Sequence, residues 1–301
     1  MICNKVSGEY KVTVLSAEGE ELRTTGWFKN LITDTGLNML AGNAGLPIMY
    51  YCFVGTGSAV PANTDTQLAS LIGTYSSPAY MNPQGTNLGA PDFNGVFTGS
   101  YEFGIGAIVG NITEVGIGPN TDGTGLFSRA LIKDINGDPT TISLLATEIL
   151  QITYRVTFAQ DMADHTGTMV INGQTYDLVI RPANASAFTP NYAYSGSSGM
   201  YLYAYEGTIQ GPTAQPGGAQ AGFSEGTADA YIPNSFTWDM NYSMGLNVGN
   251  FPTGINTLHA LYRFSAASGG SYQYQIGITP PIPKDDTMIL NLKLRQTWAR
   301  A

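Results

Sequence analysis

Two histidines, two cysteines and a scatter of carboxylates are the side chains with which this 301-residue chain could do chemistry. A glycosidase needs two carboxylates flanking the scissile bond, one as acid and one as nucleophile or base. Glu102, Glu114, Glu148, Glu206, Glu225, Asp229 and Asp239 are the candidates. None lies in a recognisable signature. Glu102, Glu114 and Glu148 fall in alternating strand patterns, where a charged side chain is expected to face solvent. His165 lies in a presumed linker and His259 in a strand-like run. A lone strand histidine is usually a hydrogen-bonded structural residue. Asp134, Asn136 and Asp138 match the start of a calcium loop. The Gly and Glu needed further along that loop are replaced by Pro139 and Leu145, so a hairpin turn is the better reading. Gly104-Ile105-Gly106 is followed by Val109 where a dinucleotide loop has its third glycine. No G-x-S-x-G elbow occurs. The expectation is a chain without enzymatic activity, with no catalytic, cofactor or metal residue assigned.

Aromatic residues are the remaining candidates. Tyr201, Tyr203 and Tyr205 share one face of a strand, with Leu202 and Ala204 on the other. Trp238 and Tyr242 follow, and Tyr192, Tyr194, Tyr272 and Tyr274 add to the cluster. Exposed Tyr and Trp make good contacts to sugars and proteins. The competing reading is core or inter-subunit packing. Tyr201, Tyr203, Tyr205, Trp238 and Tyr242 are therefore the candidate contact surface.

Composition narrows the class. Charged residues make up 12% of the chain, against about 25% in ordinary globular proteins. With 37 Gly and 18 Tyr, this suits a β-rich protein with many turns and a surface covered by partners. The net charge of −9 argues against a nucleic-acid partner, which calls for a basic stripe. No apolar run is long enough to span a bilayer, so membrane insertion is not expected. Nothing at the N-terminus resembles a signal peptide, which points to synthesis in a cytoplasm. Cys52 sits in an apolar run and reads as a buried thiol. A bridge to Cys3 would need strict geometry.

The elements that position these residues read as strands. Tyr10 to Leu15 alternates, turns around Gly19 and returns over Glu21 to Phe28. Thr33 or Asp34 can cap a short helix within Asn30 to Gly42, with Gly36 as its weak point. Ile48 to Val54 is a strand, and Asp65 is a plausible cap for one or two helical turns. Ser76 to Gly99 reads as a long excursion rich in Gly, Pro and Asn. Strands follow at Tyr101 to Val109, Ile112 to Ile117, Leu126 to Lys133, Thr140 to Leu145 and Glu148 to Phe158. Asn136-Gly137 and Asn172-Gly173 mark hairpins.

The chain also repeats itself. Ile149 to Ala159 (ILQITYRVTFA) and Ile289 to Ala299 (ILNLKLRQTWA) are identical at five of eleven positions. Upstream, Met49 to Thr56 resembles Met200 to Thr208 with one extra residue. Tyr101 to Gly104 resembles Tyr242 to Gly245. Asn111 to Val115 can be set against Gly254 to Leu258, and Leu126 to Ile132 against Tyr272 to Ile278. The order is preserved. The expected fold is all-β: two tandem, related β-sandwich (jelly-roll-like) modules, 1–160 and 161–301, with a short helix in the first.

The first half resembles virion structural proteins of tailed bacteriophages, especially tail, fibre-attachment and baseplate components. The strings that carry this are NLITDTGLNML (Asn30 to Leu40), FVGTGSAVPANTDTQL (Phe53 to Leu68), ITEVGIG (Ile112 to Gly118) and LFSRALIKD (Leu126 to Asp134), closed by Thr147 to Phe158. The resemblance implies an all-β module that assembles as a trimer or hexamer with other virion proteins, resides in the virion and carries no active site. The N-terminal β-ribbon and the Ser76 to Gly99 excursion would then be interlocking arms. Alternatives are a tail-tip protein binding a host surface glycan through the second half, and a capsid decoration protein. A glycan hydrolase is the remaining alternative.

Overall fold

A computed structural model describes residues 3–41, 48–76, 80–82, 94–184, 200–263 and 271–301. Almost all regular structure in them is β. In the first half the strands are β1 (Cys3–Leu15), β2 (Glu21–Thr24), β3 (Phe28–Lys29), β4 (Leu31–Ile32), β5 (Tyr51–Gly55), β6 (Leu71–Ser76), β7 (Tyr80–Asn82), β8 (Asn94–Phe103), β9 (Gly110–Ile112), β10 (Glu114–Gly118), β11 (Ser128–Leu131), β12 (Ile142–Leu144) and β13 (Ile149–Ala159). One helix, α1 (Asp34–Met39), lies between β4 and β5. The second half contributes β14 (His165–Ile171), β15 (Gln174–Pro182), β16 (Tyr201–Tyr205), β17 (Gln220–Glu225), β18 (Thr227–Ala228), β19 (Thr237–Met244), β20 (Ile255–Arg263), β21 (Ser271–Ile282) and β22 (Leu290–Arg300).

β1 is the centre of a nine-stranded sheet. Its alternation puts Val6, Tyr10, Val12 and Val14 into the core. On one side it pairs antiparallel with β13, from Lys5 opposite Ala159 to Leu15 opposite Ile149. On the other it pairs parallel with β22, from Cys3 opposite Thr297 to Val6 opposite Arg300. β8 and β7 continue beyond β13, β19 and β18 continue beyond β22, and β2 and β3 also pair with β1. Gly8 in β1 is required by close approach, since a Cβ there would lie 2.3 Å from the Tyr154 hydroxyl.

Two further sheets have the orders β4-β11-β10-β5-β6 and β14-β15-β21-β20-β16-β17, and β9 pairs with β12. Apart from β14, the second order repeats the first, with the strands taken in the same chain sequence. The flanks of β1 mirror each other in the same way, β13-β8-β7 against β22-β19-β18. Registers agree as well. Leu150 faces Phe103 and Leu290 faces Met244. Val115 faces Ala130 and Leu258 faces Ile276. On β5 and β16 the ladders pair Val54 with Val115 and Ala204 with Leu258. Gly57 therefore corresponds to Gly207, a small shift from the match read in the sequence.

The ends of the chain are locked together. Trp298 is buried and its Nε1 donates to Leu37 O at 2.9 Å. Arg300 donates to Ile32 O and the Asp34 carboxylate, and Tyr274 hydroxyl donates to Asn4. Asn38 accepts from Tyr231 hydroxyl at 2.7 Å and from Asn234 N at 2.8 Å. One hydrophobic cluster runs through both halves, from Val6 to Trp298.

Local departures have physical reasons. α1 is capped by Thr33, whose Oγ1 accepts from Gly36 N at 2.8 Å. Gly36 is required there, because a Cβ would sit 2.1 Å from Phe127 O. Asp65 caps no helix; its carboxylate accepts from Ala62 N and from Arg129. The last part of the Gly-rich excursion belongs to β8. Gly95, Phe97, Gly99, Tyr101 and Phe103 alternate inward there, and the glycines hid that period in the sequence. Residues 77–79 and 83–93 of the excursion lie outside the described residues. β1 is the middle strand of a sheet rather than a free arm.

Candidate contact surface

The tyrosines of β16 sort by alternation. Leu202 and Ala204 point into the core and are fully buried. Tyr201 and Tyr203 lie half-buried on the opposite face, their rings 6.4 Å apart. Phe223 of β17, 53% exposed, packs on both at 5.5 and 5.8 Å. Tyr205 turns under this layer and donates to Gln220 Oε1 at 3.0 Å. Trp238 and Tyr242 point inward from β19. Trp238 Nε1 donates to Asp229 O at 3.0 Å. The Tyr242 hydroxyl is buried without a protein partner, and burial pushes its pKa well up. The structure thus joins Tyr201 and Tyr203 to Phe223, while Tyr205, Trp238 and Tyr242 are core side chains. Tyr272 and Tyr274 are also buried. Tyr192 and Tyr194 lie outside the described residues.

An open groove of about 580 Å³ begins at Phe223 and runs across three strands. Phe223 and Glu225 come from β17, Asn241 and Ser243 from β19, and Asn291 and Lys293 from β22, with Tyr242 on the inner wall. Lys293 and the Asn241 amide are both fixed by Asp229, at 2.8 and 2.6 Å. These bonds hold the Asp229 carboxyl below its ordinary range. Glu225 and Asn291 are exposed and have no side-chain partner among the described residues. Sequence reasoning missed Phe223, Asn291 and Lys293, because they meet only through the β17–β18 corner and the β19–β22 pairing.

Two carboxylates expected at the surface are buried instead. Glu114 is fully buried on β10. Its Oε1 accepts from Gly57 N at 2.9 Å and Ser70 N at 2.8 Å. Its Oε2 accepts from Ala69 N at 3.1 Å and from Arg129 Nε and Nη2 at 3.0 and 2.7 Å. Arg129, also buried, continues to Asp65 and to Ala59 O at 2.9 Å. A buried charge requires this degree of compensation. The cluster holds the loop between β5 and β6 closed. Glu148 is buried as well. It takes two bonds from Arg23, at 2.9 and 2.8 Å, and one from Leu145 N at 2.9 Å. The Arg23 bonds, then the Leu145 bond, lower its pKa. Glu102 is exposed, as expected. Glu206 accepts from Thr253, and Asp239 pairs with Arg295. These carboxylates brace strands and loops.

The remaining chemistry-bearing residues have these partners. His259 is buried on β20, with Nε2 3.1 Å from Gln273 Oε1; burial lowers its pKa. His165 opens β14 and pairs with Asp161 at 2.9 Å. Asp134 Oδ1 accepts from Asn136 N and Asp138 N, which makes the segment a turn. Cys52 is a free, buried thiol. Among the described residues, no three His, Cys, Asp or Glu side chains gather as a metal cage. No helix of the described residues is long and apolar enough to cross a membrane. No family model, curated protein or solved structure matches the chain.

Proposed function

We propose that the chain is a non-enzymatic structural component of a tailed-phage virion, in the tail, collar or fibre-attachment apparatus. It acts as a trimer or hexamer through contacts with its own copies and with other virion proteins. Its two halves are related β-sandwich modules built on a shared central strand. One observation carries the reading. The strings that resemble phage tail proteins are dispersed from Asn30 to Asp134 in sequence, yet they meet in one place. Gly57 and Asp65 from the second string, Glu114 from the third and Arg129 from the fourth form the buried ion cluster. Thr33 from the first donates to Leu126 O at its edge. The four strings that carry the resemblance therefore pack against one another in this chain, which supports reading them as one unit.

Imaging of assembled virions with the protein labelled tests this directly. Density at the tail, collar or fibre base is the expected result, and absence from purified particles would refute the reading. Binding to empty, tailless heads would favour a capsid decoration protein. The mass in solution should correspond to three or six copies.

A further inference from the structure

We infer that the groove running from Phe223 to Lys293 is a saccharide-binding site. Phe223 is half-exposed and held in place by Tyr201 and Tyr203 at 5.5 and 5.8 Å, so its free surface is a fixed apolar platform. The negative face of an aromatic ring attracts the polarised C–H groups of a sugar ring. Beside it stand the exposed Glu225 carboxylate and Asn291 amide, neither with a side-chain partner among the described residues. Lys293 and Asn241 are pre-positioned by Asp229. β19 and β22 are paired neighbours about 4.8 Å apart. β17, the edge strand of a different sheet, meets β19 through Ser224 Oγ and the Ser243 backbone, so groups from all three line one shallow groove.

Other ligand classes fit less well. Seven of the ten lining residues are polar or charged, which disfavours a purely apolar guest. Strand addition by a peptide needs a long open edge; β18 is two residues, and β17, the six-residue edge strand of the neighbouring sheet, is tied to β19 by Ser224 Oγ, which bonds both Ser243 N and Ser243 O. A phosphate-rich ligand would meet Glu225 and a chain of net charge −9. A neutral polyhydroxylated ligand satisfies both the platform and the exposed carboxylate and amide. A volume near 580 Å³ is in the range of small-molecule sites.

The test titrates the full chain with maltotriose, mannotriose and triacetylchitotriose, followed by saturation-transfer NMR and calorimetry. At least one should bind with a Kd of about 1 mM or tighter. Phe223→Ala and Glu225→Gln should each weaken that binding by roughly tenfold or more, and Tyr205→Phe, outside the groove, should leave it unchanged. Phe223 is exposed, so circular dichroism and melting of Phe223→Ala should match the parent. Failure of all three sugars to bind at about 10 mM, or binding that survives both groove substitutions, overturns the inference. The result is independent of where the protein sits in a virion, which imaging decides separately.

Discussion

The two halves hold the same loop shut by different means. In the first half, the loop between β5 and β6 is clamped by Glu114 and Arg129. In the second, the ladder positions equivalent to Glu114 and Arg129 are Thr257 and Gln275. Both are fully buried. Gln275 Oε1 accepts from Gln210 N at 2.8 Å, and its Nε2 donates to Pro182 O at 3.0 Å and to Gln210 O and Gly211 O at 3.1 Å. Thr257 Oγ1 donates to Gly207 O at 2.8 Å. A buried ion cluster and a neutral amide thus solve one problem, that of satisfying a loop's backbone groups away from water. The ionic version carries the larger desolvation cost and is correspondingly intolerant of losing one partner.

That contrast can be broken at several points. Arg129→Met should have the largest effect. It leaves the Glu114 charge buried and unpaired, and urea unfolding should record a loss of about 3–5 kcal/mol. The double variant Glu114→Thr with Arg129→Gln copies the neutral pair into the first half and should recover much of that loss. If it is no better than Arg129→Met alone, the two clamps are not equivalent. Gln275→Ala should cost less, about 2–3 kcal/mol, because it orphans neutral groups only.

A smaller effect is expected from pH. His259 is held neutral, with its folded pKa below the ordinary 6.5. Between those two values the unfolded chain binds more protons than the folded one. Stability should therefore fall as pH drops from about 6.5 towards the folded pKa, then level off. His259→Gln should flatten this part of the profile in thermal melts. Glu148 has the opposite charge type and a depressed pKa. Its contribution is present above the ordinary carboxylate range and is lost as pH falls through the folded value. Arg23→Ala should shrink that acid limb, leaving the part owed to the Leu145 N–H bond. It should lower stability at neutral pH by the same amount, the smallest change of the set because Arg23 is half-exposed.

Much of the strand order was legible, because Val, Ile, Tyr and Phe alternate in β1 and β13, β5 is a short continuous apolar run, and Asn172-Gly173 turns the β14–β15 hairpin; Asn136-Gly137 also makes a turn, but its flanking strands β11 and β12 pair with β10 and β9 instead of each other. The duplicated closing strand was legible for the same reason: β13 and β22 occupy equivalent places beside β1. What the sequence concealed was long-range. Alternation predicts that Glu114 leaves the core, yet three backbone N–H groups and Arg129, all distant in sequence, bring it in. Phe223 sits in a run of Gly, Ala and Ser that carries no strand signal, and its groove needs β22 to complete one wall. Tyr242 and Trp238 were equally ambiguous, because an aromatic on a two-sided sheet fits either face until the facing sheet is known.

The central position of β1 has a consequence for synthesis. Among the described residues, its edge at Cys3 to Val6 pairs with Thr297 to Arg300. At about 5–20 residues per second, a ribosome needs on the order of 15–60 s to deliver that partner. Meanwhile the first half can fold against β13 and present an unfilled strand edge, which is a template for misplaced pairing. The last eleven-residue strand thus ends a period of vulnerability for the nascent chain, and a polypeptide stalled before Leu290 should be prone to aggregation.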